Sequence, residues 1–174
     1  MFKRLSILSI IVATMIGFSS CGDDNDDENG FEINSSSSFS INGEKVREVY
    51  QTLCEVHTLP ALNDEPSHEI ELEAYFYYED ELMSFNYGLS ASSINALKKG
   101  MDITDYMRFY RFYPMNWAIT SSKHFEVLSG NAVVESVSSE AVVIRYTNFE
   151  LLREISNTED IFTINGTISY TIND

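Results

Sequence analysis

Only two cysteines, three prolines, eight glycines, three histidines and one tryptophan occur in the 174 residues. Two cysteines cannot build the disulfide framework of a small secreted scaffold. The histidines, His57, His68 and His124, are scattered and offer no metal-ligand spacing. His68-Glu69 opens like a zinc-protease motif, but Leu72 stands where the second histidine belongs. There is no glycine-rich phosphate loop with its lysine and no Gly-x-Ser-x-Gly elbow. Bases are scarce, 11 Lys and Arg against 27 Asp and Glu, for a net charge of −16. Such a surface repels nucleic acid and anionic membrane, so no nucleic-acid role is expected. No apolar run approaches the ~20 residues that span a bilayer.

The longest apolar run, Leu5 to Ile16, is twelve residues and follows a basic start, Lys3-Arg4. Small residues and one Phe, Gly17 to Ser20, lead from it to Cys21. This is the three-part plan of a secretory signal, which sets residues 1–20 apart from the folded chain. A plain signal has no need of a cysteine at its end. Phe18-Ser19-Ser20-Cys21 resembles the bacterial lipobox, with Phe18 where leucine is usual. The resemblance implies cleavage before Cys21, lipidation of its thiol and acylation of the new terminus. At about 0.8 kcal/mol per buried CH₂, two or three acyl chains hold a protein on a membrane. Loss of residues 1–20 removes Lys3 and Arg4 and no acid, which takes the net charge from −16 to −18.

Five acids fall within Asp23 to Glu28, and four serines run from Ser35 to Ser38. Residues 21–38 bury too little apolar surface to repay ordering and read as a self-repelling tether. Acids close behind a lipidated cysteine also resemble the surface-export signal of Bacteroides-type lipoproteins. That resemblance implies an outer-membrane protein displayed on the cell surface.

Residues 39–174 have the texture of an all-β domain. Asn42-Gly43 between two short extended runs is a hairpin signal. His68 to Tyr78 alternates strictly. His68, Ile70, Leu72, Ala74, Phe76 and Tyr78 point inward, while Glu69, Glu71, Glu73, Tyr75 and Tyr77 form a solvated acidic face. Glu79-Asp80-Glu81 turns the chain, and Met83, Phe85, Tyr87 and Leu89 return inward. One short helix is expected, capped by Ser92 or Ser93, with Ile94 and Leu97 facing in and Gly100 ending it. Asp105 to Trp117 reads as one strand before Pro114 and the start of another after it. Ser138-Ser139-Glu140 joins a hairpin, and Asn165-Gly166 marks either a second tight hairpin or a long strand bent at a glycine. Eight to ten short strands with one small helix argue an antiparallel β-sandwich, with a lipocalin-like barrel as the alternative. Ile41-Asn42-Gly43-Glu44-Lys45 and the texture of residues 129–172 resemble the small β-sandwich lipoproteins of Bacteroides-type genomes. The resemblance implies a lipid-anchored exported domain and transfers no active site.

Cys54 has no intramolecular partner once Cys21 carries lipid, and reads as a buried, inert thiol. Glu69, Glu71 and Glu73 lie ~6.8 Å apart in succession along a strand. They cannot all reach one calcium ion, whose ligands stand at about 2.4 Å. No cofactor is implied, no carboxylate pair stands out for hydrolysis, and the domain is read as non-catalytic. The remaining lead is aromatic. Tyr75, Tyr77, Tyr110, Tyr113 and Trp117 could stack on the apolar faces of sugars, with acids or amides fixing the hydroxyls. The expected partners are therefore the membrane, through the lipid anchor, and a glycan or other extracellular ligand. The alternative is a structural or assembly component of a surface complex or fimbria. No sequence feature specifies an oligomeric state.

Overall fold

The structure, a computed structural model, describes residues 36–59, 67–115, 123–155 and 157–173. The chain divides into two units, Met1–Gly30 and Phe31–Asp174, and every described residue falls in the second. Among the described residues there are nine strands: β1 Ser38–Ile41, β2 Glu44–Lys45, β3 Val49–Leu59, β4 Ser67–Tyr78, β5 Glu81–Ser90, β6 Met107–Pro114, β7 Lys123–Val137, β8 Ala141–Ile155 and β9 Thr158–Thr171. They make two antiparallel sheets, one ordered β2-β1-β9-β8-β7 and the other β3-β4-β5-β6. An isolated bridge, Cys54 to Ile172, links the two sheets, but no strand ladder closes them among the described residues, so the architecture is the sandwich and not the barrel.

Turn chemistry explains the hairpins. Asn42 and Gly43 both hold positive φ, 52° and 84°, which suits a tight turn between β1 and β2. Asn42 is also tied to β9, its Oδ1 accepting the Thr163 N–H at 2.9 Å. Glu79 and Asp80 likewise take positive φ, 51° and 61°, between the paired Tyr78 and Glu81. Asn165-Gly166 is not a turn. It lies inside the continuous β9, where Gly166 has φ 119° and a Cβ would stand 2.3 Å from the Ser38 carbonyl oxygen of β1. Across from it β8 places two residues, Thr147 and Asn148, opposite the single Asn165 between the pairs Tyr146–Gly166 and Phe149–Ile164, a bulge of one extra residue. Asn165 Oδ1 accepts the bulged Asn148 N–H at 2.7 Å. Its amide serves a bulge where the sequence also allowed a hairpin.

The expected short helix contracts to a single 3₁₀ turn, Ile94–Ala96, in which Ser93 makes no side-chain cap. A second 3₁₀ turn spans Thr104–Tyr106. Leu97 already takes extended backbone, φ −75° and ψ 128°, and the chain beyond it pairs with β7. Gly100 N–H donates to the Val134 carbonyl, Val134 N–H to that of Met101, and Ile103 N–H to that of Ala132. The segment between β5 and β6 therefore covers the edge of β7. Leu97 is buried as expected. β6 ends at Pro114, on the sheet edge where a missing N–H is harmless. The strand start expected after Pro114 falls at residues 116–122, outside the described residues, and β7 begins at Lys123.

The core follows the alternation. Ile70, Leu72, Ala74 and Phe76 of β4 and Met83, Phe85, Tyr87 and Leu89 of β5 are all buried. They face Ile144, Tyr146, Phe149, Ile164, Ile168 and Tyr170, which are buried on the other sheet. At the centre the hydroxyls of Tyr87 and Tyr146 lie 2.7 Å apart and those of Tyr146 and Tyr170 2.8 Å apart. Buried hydroxyls need partners, and here they serve one another across the two sheets. Cys54 is fully buried beside them, and burial, with Glu55 nearby, pushes its thiol up to about 12.

Candidate functional site

Four strands carry the outer face of the smaller sheet, and their register lays it out in rows. Gln51, Tyr75, Ser84 and Tyr113 form one row across β3, β4, β5 and β6. Leu53, Glu73, Asn86 and Arg111 form the next, followed by Glu55, Glu71, Gly88 and Arg108. Strict alternation would put Tyr110 and Tyr113, three apart, on opposite faces. A bulge prevents that. Asn86 pairs with Arg111 and Tyr87 with Phe109, which leaves Tyr110 as the extra residue of β6. Its hydroxyl reaches Glu69 on the outer face. A second bulge, at Tyr50 of β3, brings that ring to Tyr77, with centroids 5.2 Å apart and edges crossed at 73°.

Tyr75, Tyr77, Tyr110 and Tyr113 thus share one face. Tyr77 is 40% exposed, and the other three are half-buried. Trp117 and Cys21 lie outside the described residues. Alternation alone had no means of finding Tyr50, Ser84 and Asn86 as neighbours of these rings, because register and bulges fix them.

The acids on this face are not the solvated row expected. Glu69 is only 4% exposed, and Glu71 and Glu73 are half-buried. Each meets a donor from another strand of the sheet, Glu69 reaching over β5 to β6. Tyr110 donates to Glu69 at 2.5 Å, and Arg108 stands 3.9 Å from the same carboxylate. Asn86 Nδ2 donates to Glu71 at 2.6 Å, and His57 Nε2 lies 3.1 Å from Glu71. Ser84 donates to Glu73 at 3.2 Å, and the Tyr75 hydroxyl donates to it as well. Small residues on β5 leave room for glutamates to lean across. The phenols respond: burial and then the bond to Glu69 push Tyr110 up to about 12, and burial and Glu73 raise Tyr75. Both stay protonated donors at neutral pH. Asn86 Oδ1 is buried without a hydrogen-bond partner among the described residues.

Chemically, this face offers fixed rings, phenolic donors and pinned amide and carboxylate groups. Among the described residues, no three His, Cys, Asp or Glu side chains group closely enough to hold a metal ion. No family model, curated protein or solved structure matches this chain.

Proposed function

We propose that this is a lipid-anchored lipoprotein of the outer membrane, displayed at the cell surface, whose β-sandwich binds an extracellular glycan without catalysing a reaction. The anchor rests on the sequence: an apolar segment ends at Cys21 and acids follow at once. The observation that carries the binding reading is the gathering of Tyr75, Tyr77, Tyr110 and Tyr113 on one sheet face. Flat rings give sugars an apolar surface, and the half-buried Glu73 carboxylate among them suits hydroxyl recognition.

Affinity electrophoresis through gels cast with a panel of polysaccharides tests the binding. Retardation by at least one of them is expected, and a folded protein that none retards contradicts the reading. Labelling with radioactive palmitate tests the anchor, with incorporation expected in the native chain and lost in Cys21→Ser.

The assembly alternative draws less support. It needs a long apolar edge strand. The edge of β7 is covered from Ala132 to Val134, and its first residues include the polar Lys123, His124 and Glu126 ahead of a bulge.

A further inference from the structure

The strands β6 and β7 each end a sheet, and between them one side of the sandwich opens as a trough of about 480 Å³. Phe109 and Phe125, their ring centroids 6.4 Å apart, line it where the core aromatics reach the surface. Arg108, Lys123 and His124 line it too. In a chain of net charge −16 the trough brings two cations, Arg108 and Lys123, to one site. Asp105 is the acid lining the trough, while Glu69 touches Arg108 and Glu126 lies 3.7 Å from His124.

The donors are incompletely used. The Arg108 side chain is 68% exposed, and among the described residues its polar contacts are Glu69 at 3.9 Å and the Tyr110 hydroxyl. A guanidinium has five N–H donors, so several remain for a ligand. Lys123 gives one N–H to the Tyr110 carbonyl at 3.0 Å and sits 5.5 Å from the Tyr113 ring centroid. Its other N–H groups stay available. These contacts also make the trough continuous with the tyrosine face, since Tyr110 and Tyr113 belong to that face.

We propose that the trough takes the carboxylate of an acidic sugar unit carried by an otherwise neutral glycan. The inference rests on the glycan reading above and narrows it. Arg108 and Lys123 supply charge-assisted hydrogen bonds to the carboxylate, and Phe109 and Phe125 give the sugar ring an apolar wall. The N–H groups that Arg108 and Lys123 do not use within the chain suit one monovalent anion. A polyanion would be opposed by the charge of the whole chain.

The test uses the full-length chain in detergent micelles on an array of matched oligosaccharides. Each uronate- or sialate-bearing member is printed beside its carboxyl-reduced counterpart. Arg108→Gln and Lys123→Met change exposed side chains, and circular dichroism checks that both variants fold. The acidic members are expected to bind about tenfold or more tightly than their reduced partners. Each variant is expected to erase most of that difference, and high salt to shrink it. Equal binding of acidic and reduced members overturns the trough proposal and leaves the glycan reading standing. A preference for acids that neither variant alters also overturns it. No binding to any member, acidic or neutral, overturns both.

Discussion

The carboxylate of Glu69 lies directly over Gly88 on the neighbouring strand: a Cβ built on Gly88 would stand 2.2 Å from the Glu69 carboxyl carbon. The glycine is what lets a glutamate lie down across the sheet and meet Tyr110. Gly88→Ala is therefore expected to swing Glu69 out and break that bond. The clash is with the end of a flexible side chain, so the cost should be modest, about 1–2 kcal/mol. In Glu69→Ala the clash partner is gone, and adding Gly88→Ala to it should cost much less. Urea unfolding of the two single variants and the double variant measures this coupling. Additive costs would show that Gly88 and Glu69 do not depend on each other.

The hydroxyls of Tyr87, Tyr146 and Tyr170 form a closed set inside the core. Tyr146→Phe removes the middle one and leaves two buried hydroxyls short of a partner, at a cost of about 1–3 kcal/mol. Converting all three to Phe removes donors and acceptors together. That triple variant is expected to be no less stable than Tyr146→Phe alone, as read by chemical unfolding. A triple variant that loses the sum of three single losses would contradict this account.

Stability should fall on the alkaline side, and the thiol gives the first part of the window. Below 9.0 Cys54 is protonated in both the folded and the unfolded chain. Above 9.0 the unfolded thiol ionises, while the folded one holds its proton up to about 12. The unfolded state then binds fewer protons, so stability drops as pH rises, by up to about 1.4 kcal/mol per unit. Tyr87, Tyr146 and Tyr170, all raised above 10.0 first of all by burial, add slopes of the same sign from 10.0 upward. Unfolding free energies measured from neutral to alkaline pH should decline less steeply in Cys54→Ala than in wild type just above 9.0. Parallel curves would exclude the thiol as a source of the slope.

Much of the fold is written in residue order, because a half-buried strand must alternate. His68 to Tyr78 declares which side faces the core, and Ile70, Leu72, Ala74 and Phe76 are buried as that pattern requires. Asn42-Gly43 and Glu79-Asp80 declare their turns through residues that tolerate positive φ. The site was legible only in part. Tyr75 and Tyr77 follow from alternation, but Tyr110 reaches the same face through a bulge that composition does not announce. The burial of Glu69 depends on Gly88 and Tyr110, residues distant in sequence and joined only by register. The expected helix stops after one turn because Leu97 takes extended backbone, and residues 100–103 bond to β7, a pairing that local propensity takes no account of.

The central claim is that the tyrosine face binds glycan, and Tyr77 is its most direct probe. Its ring is 40% exposed and packs edge-on against Tyr50, so Tyr77→Ala should fold normally. Affinity electrophoresis of wild type and Tyr77→Ala through the same polysaccharide gels is the decisive measurement. The account predicts that at least one polysaccharide retards the wild type and retards Tyr77→Ala distinctly less. Equal retardation of the two proteins, or none of either, would contradict it.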